Sequence, residues 1–320
     1  MRDLADHLLE QLSTSAISDE ARKLWYRHRD EIEKDFENGL NQIPIGATSR
    51  SELTDEVRRL LSAVICARTV LAEDRIRALP EPHKSAPARL LRRVFEGIPQ
   101  NSECAPVITT NYDTLLELFC DLAQLPIDTG FDGHRYRFFR KDAVYRTHFR
   151  PETIAGKKSV QVEYRRMPNV RIMKPHGSIT WHSTMAGPVE ILDYQKASSR
   201  AIVIPGPTKY EDALITRLFD SVRAEMNGVL RTASSVMCIG FGFNDAHLQG
   251  VITERLGNKM PLLVLTRSFT PSIRSLIAQF PHVLAIVRDG DGGECHVDGQ
   301  VYKSEHPIWE LDCFLQTFLE

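Results

Sequence analysis

Six short apolar runs in the later two-thirds of the chain constrain its fold more than any other feature. They are APVITT, VRIMK, AIVIP, SSVMCIGFG, PLLVLT and HVLAIV, each bounded by turn residues. Most are β-branched or leucine-rich, and several lack the polar alternation of a strand with one wet face. Strands buried on both faces read this way. Helical stretches lie between some of them, notably YDTLLELFCDLAQL, ALITRLFDSVRAEMNGVLRTA and TPSIRSLIAQF. Strand alternating with helix predicts an α/β fold with a parallel sheet flanked by helices.

The first hundred residues carry a different pattern. Leu4, Leu8, Leu9 and Leu12 form one apolar stripe, and later segments up to EARKLWYRHRDEIEKDFENGL, SELTDEVRRLLSAVICARTVLAEDRIRAL and SAPARLLRRVFEGI repeat at three- and four-residue spacing. Gly46 and the polar ATSRS mark a break between helices. The alternation of strand and helix fails near 128–168, where basic and aromatic residues mix with turn signals. That stretch reads as an irregular insertion or a small antiparallel excursion over the sheet. GDGGECHVDGQVYKSE reads as a hairpin and PIWELDCFLQTFLE as a closing amphipathic helix. The organisation expected is one domain over 1–320, with 1–100 mainly helical and 101–320 the α/β core.

Totals narrow the function classes. The chain has 320 residues, a formal net charge of −2, 42% hydrophobic and 26% charged residues. Such a balance gives no global attraction to nucleic acid or to an anionic membrane. No apolar run approaches the ~20 residues a membrane helix needs, and the N-terminus has no secretory h-region. The six cysteines form no C-x-x-C pair. Their spacing matches neither a zinc ribbon nor a disulfide scaffold, and a reduced cytoplasmic setting is the simple expectation.

Three polar constellations fall at strand ends, where open α/β sheets bind ligands. In VITTNYDTLLE, Thr109 and Thr110 lead out of a strand, and Asn111 and Asp113 stand before a helix. For Asp113, capping of the free helix N–H groups, worth ~1 kcal/mol, competes with a ligand role. In RIMKPHGSITWH, Pro175 and Gly177 fix the backbone on both sides of His176, which aims an imidazole into a cleft. Histidine is the usual general base near neutral pH. His182 lacks that framing. In SSVMCIGFGFNDAHL, Gly240 and Gly242 permit close backbone approach to a phosphate or ribose.

Taken in order, TTNYD, KPHGS and CIGFGFNDAHL resemble the sirtuin-like domains, in the bacterial branch used in anti-phage defence; IVIPGPTKY and HPIWELDCFL look like the same branch. The resemblance implies a Rossmann-like fold with NAD as substrate, cleaved by hydrolysis at the nicotinamide–ribose bond, and no metal. It places Asn111 and Asp113 beside the nicotinamide ribose and carboxamide, and His176 as the catalytic histidine. It places Thr110 at the same site, Gly240, Gly242 and Phe243 at the phosphates and adenosine ribose, and Thr266 near a ribose contact. Regulation by assembly is implied too, with a homo-oligomer and a HerA-like ring ATPase as partners. Two departures accompany it. The four-cysteine zinc module of the deacetylases is missing, which argues against a deacetylase. The family's opening strand and glycine loop are also missing. The only glycines in the first hundred residues are Gly39, Gly46 and Gly97. Either the true start lies upstream or the loop has been dispensed with.

Two other readings stay open on the residues. One is a weak or inactive scaffold that binds NAD or ADP-ribose. The other is nucleic-acid binding through Arg135, Arg137, Arg140 and Lys141, where basic residues interleave with aromatics.

Overall fold

The computed structural model describes residues 10–34, 39, 42–44, 47, 49–99, 104–139, 149–155, 160–193, 200–202 and 213–320. Leu4, Leu8, Leu9, Gly46, Arg140, Lys141 and most of IVIPGPTKY lie outside that set. The described residues form two compact units. One contains the chain up to Pro82 together with Phe95–Val222; the other contains His83–Val94 and Arg223–Glu320.

The N-terminal hundred residues hold the predicted helices α1 (Asp19–Lys34), α2 (Arg50–Arg77) and α3 (Ala86–Glu96). Strand β1 (Cys104–Ile108) leads to α4 (Leu115–Leu122), β2 (Ile127–Asp128), β3 (Phe131–Gly133) and β4 (Tyr136–Phe139). Then come β5 (Phe149–Ala155), β6 (Val160–Arg166), β7 (Asn169–Met173), β8 (Gly177–Thr184), β9 (Gly187–Ile191) and β10 (Arg200–Ile202).

In the first unit, α1 and α2 bury their apolar stripes against each other. Leu12, Trp25, Ile32, Leu53, Val57 and Leu61 form that cluster, with Ile202 joining it. Strands β1, β7 and β2 make a parallel sheet with β7 in the centre. Every residue of β7 is buried, the polar Asn169 and Arg171 included. The insertion near 128–168 is antiparallel. β3 and β4 join a five-stranded sheet ordered β10-β8-β9-β4-β3, while β5 and β6 pair as a separate two-stranded ladder. The run AIVIP supplies β10, which pairs antiparallel with β8 rather than extending the parallel sheet. The hairpin β8–β9 carries ITWHSTMAGPVEI and turns at Gly187, whose φ is +112°. Trp181 packs between Phe131, at 5.2 Å, and Phe219, at 6.1 Å.

Glu190 lies in this sheet and is 2% exposed. Arg137 pairs with its Oε2, and Thr129 Oγ1 donates to the same oxygen at 3.1 Å. Arg137 also donates to the Phe131 carbonyl, so this member of the basic-aromatic stretch turns inward. Burial pushes the Glu190 carboxyl above its ordinary range and outweighs the opposing pull of Arg137.

Helix α5 (Ala213–Thr232) runs from the first unit into the second. The second unit then holds β11 (Val236–Ile239), α6 (Ala246–Gly257), β12 (Leu262–Thr266), α7 (Pro271–Gln279) and β13 (Leu284–Asp289). It ends with β14 (Gly292–Val297), β15 (Gln300–Ser304) and α8 (Leu311–Phe318). β11, β12 and β13 are parallel neighbours, and β14 and β15 add the antiparallel hairpin expected of the tail. Asp298 and Gly299 both have positive φ, 50° and 73°, the backbone a tight Asp-Gly hairpin turn requires. α7 starts as its sequence predicts: Thr270 Oγ1 accepts from the Ile273 N–H, and Pro271 fills the first turn. Leu265, Ile286, Ile308, Phe314 and Leu315 form the core of one sheet face, with Ala86 and Leu90 of α3 packed against it. Arg89 fastens α3 there by pairing with Asp312 and Glu320, each at 2.8 Å. The parallel strands predicted as one sheet are therefore divided between two sheets, one in each unit.

Two predictions follow from packing. A Cβ on Gly292 would stand 2.1 Å from the Ser304 carbonyl oxygen. Gly292→Ala should therefore lower urea-unfolding stability by about 3 kcal/mol through overpacking. Because the folded pKa of Glu190 is raised, the folded state binds more protons above the ordinary value of 4.5. This contribution to stability is present at low pH and is lost as pH rises from 4.5 through the folded pKa. Denaturation of Glu190→Gln against the native chain should show that the variant lacks this downward slope.

Candidate functional site

β1 and β7 run parallel in register, with Ile108 opposite Met173. The segments that leave their carboxyl ends therefore emerge side by side. Thr109 N–H continues the ladder by donating to the Met173 carbonyl at 3.0 Å. Thr109 Oγ1 then accepts from the Asn111 N–H at 3.1 Å, and the Asn111 side chain stands exposed beyond it. Thr110 is half-buried between them. Asp113 Oδ1 accepts from the Leu115 N–H at 3.0 Å, so one carboxylate oxygen takes the first N–H of α4 from the position before its N-cap, Thr114.

The second segment turns immediately. Gly177 N–H donates to the Lys174 carbonyl at 3.0 Å, with Pro175 and His176 at the two central positions of the turn. Gly177 has φ +93°, which a side chain there would strain. His176 is half-buried at the tip, as the flanking Pro and Gly predict.

Tyr112 joins the two segments. Its carbonyl accepts from the Ile179 N–H at 2.9 Å and from Ser178 Oγ at 3.4 Å. Its ring lies 6.4 Å from the His176 ring, tilted by 35°. Asn111, Asp113 and His176 thus belong to two adjacent loops of one unit. His182 is instead buried within β8, opposite Val189.

A residue that sequence reasoning passed over fastens the pair. Lys174 is 2% exposed; its Nζ donates to the Asp113 carbonyl and pairs with Glu117 Oε1 at 2.7 Å. The available signal was a lysine in KPHGS next to a turn, with a glutamate in the first turn of α4 to receive it.

In the second unit, Gly240 follows β11 with φ +64°, and its N–H donates to the Leu265 carbonyl at 2.8 Å. The space a Cβ would fill there is open, so a ligand can approach the backbone closely. The Gly242 carbonyl accepts from Thr270 Oγ1 at 2.7 Å, and Phe243 has φ 55°. Phe243 is fully buried against Phe241, their centroids 4.8 Å apart. It shapes the turn through its backbone. Thr266 lies at the end of the neighbouring strand and spends its hydroxyl on the Ser268 carbonyl at 3.2 Å. Gly240, Gly242, Phe243 and Thr266 thus cluster at the carboxyl ends of β11 and β12, the place where such sheets bind phosphates and ribose. Burial pushes the thiols of Cys120 and Cys238 up to about 12, which leaves both inert as nucleophiles. Among the described residues, no group of three His, Cys, Asp or Glu could hold a metal ion. No helix among them is long and apolar enough to cross a membrane.

No curated protein matches the chain. A family model described as the SIR2-like domain matches residues 106–273, more than half of the chain. The match takes in the Asn111–Asp113 loop, the His176 turn and the Gly240–Phe243 turn, and domains of this kind use NAD. On that match, the chain belongs to the SIR2-like domain family.

Proposed function

We propose that the protein is an NAD glycohydrolase, which converts NAD and water to nicotinamide, ADP-ribose and a proton. The observation that carries this reading is the junction at Tyr112, which sets the exposed Asn111 and the half-buried His176 in neighbouring loops. The nicotinamide–ribose bond carries a pyridinium leaving group, so its cleavage demands positioning more than acid catalysis. Asn111 orients water or the ribose hydroxyls. His176 accepts a proton from the incoming water or from a ribose hydroxyl. The Asp113 oxygen not bound to the Leu115 N–H holds the carboxamide. Within the second unit taken by itself, Gly240 and Gly242 are the candidates for a phosphate contact and Thr266 for a ribose contact.

The same motif resemblance supports a wider role, as a cytoplasmic effector of anti-phage defence. In that role hydrolysis stays silent until the chain assembles as a homo-oligomer with a HerA-like ring ATPase. A second reading, an NAD- or ADP-ribose-binding scaffold, is favoured by one observation: Asp113 already spends an oxygen on the Leu115 N–H.

Two measurements test the reading. His176→Ala and Asn111→Ala should each lower the rate of NAD hydrolysis by about 100- to 10,000-fold. A His176→Ala protein that hydrolyses NAD at the native rate contradicts the assignment. An Asn side-chain oxygen accepts from a backbone N–H at a helix start about as well as an Asp oxygen. Asp113→Asn should therefore leave thermal stability within about 0.5 kcal/mol of native while NAD turnover falls. Native turnover in that variant would mean that the carboxylate serves the start of α4 alone.

A further inference from the structure

We propose that the second unit carries a small-ligand site of its own, taking a nucleoside monophosphate through the paired guanidinium groups of Arg267 and Arg288. The inference goes beyond NAD hydrolysis and does not rest on it. Side chains alternate between faces along a strand. Leu263 and Leu265 of β12, and Leu284 and Ile286 of β13, face the core that α3 and α8 cover. Arg267 and Arg288 continue those two rows past the end of the core. Thr266 belongs to the opposite row. The arginines therefore open onto a different face from Thr266.

They line a cleft of about 400 Å³ together with Asp291, Trp309 and Glu310. That volume falls within the range of small-molecule sites. Arg288 sits over the Trp309 ring, 5.8 Å from its centroid, and its Nε donates to the Gly290 carbonyl at 2.8 Å. Those contacts fix the guanidinium plane and leave its terminal nitrogens for a ligand. Arg267 is exposed and makes no hydrogen bond or ion pair among the described residues. Two guanidinium groups, one held rigid and one uncommitted, match a phosphate by paired charge-assisted hydrogen bonds. The half-buried Trp309 indole beside Arg288 supplies an aromatic wall for a planar base. The carboxylates of Asp291 and Glu310 accept from hydroxyl or amino groups and repel an extended polyanion. The fit is to a short ligand with one phosphate, sugar hydroxyls and a base.

Calorimetry on the full chain with AMP tests this, with Trp309 as an optical reporter. Trp25 and Trp181 are 1% and 2% exposed, so a fluorescence change on binding should vanish in Trp309→Phe. AMP should give saturable heat. Arg267→Ala and Arg288→Gln should each weaken it at least about tenfold, and Arg288→Lys less than Arg288→Gln. Adenosine and inorganic phosphate should each bind at least about tenfold more weakly than AMP. Gly240→Val, in the glycine turn, should leave the AMP-dependent Trp309 fluorescence change intact. Absence of saturable heat overturns the proposal. So does native AMP affinity in both arginine variants with circular dichroism intact, equal binding of adenosine, or loss of the Trp309 signal in Gly240→Val alone.

Discussion

A buried ammonium group holds the candidate catalytic loops in place. Lys174 is almost fully removed from water, and a charge in that position is tolerable only when it is paired and hydrogen-bonded. It meets both conditions across the two segments at once, through the Asp113 carbonyl and the Glu117 carboxylate. The next residues are Pro175 and His176. Displacing either loop would leave a charge stranded in the interior. The β1–β7 ladder brings the segments to the same level, and Lys174 keeps them there.

The polar interior extends beneath that clamp. Ser178 and Thr180 share a 2.8 Å hydroxyl contact on β8, and Ser178 also reaches the Tyr112 carbonyl. Glu190 and Arg137 form a second buried pair in the same sheet. Buried networks of this kind are costly when half satisfied and rigid when complete. Here they support the strand from which the His176 turn hangs, so the polar core and the position of the imidazole are parts of one arrangement.

Much of this was legible in the sequence, because the signals were local. Apolar runs identified β1, β7, β11, β12 and β13, and GDGGECHVDGQVYKSE read as the final hairpin. Pro175 and Gly177 announced the turn that carries His176, and Asp113 announced the start of α4. What escaped was non-local. Nothing near Lys174 in the chain names Glu117 as its partner, and nothing in RYRFFRK reveals that Arg137 points inward to Glu190. The β8–β9 hairpin escaped for another reason. Both its strands are largely buried, so ITWHSTMAGPVEI shows no clean polar alternation. The run AIVIP has the composition of a central parallel strand yet lies antiparallel, since pairing partners are chosen by tertiary contact.

The central claim is that the Asn111 loop and the His176 turn together make a site that delivers water to the ribose of NAD. The most direct measurement is product analysis by mass spectrometry after incubating the purified chain with NAD in ¹⁸O-labelled water, with and without the proposed ring ATPase. The account predicts nicotinamide and ADP-ribose in equal amounts, with one ¹⁸O incorporated in the ADP-ribose. Intact NAD under both conditions, or nicotinamide released with a cyclised product free of label, would contradict it.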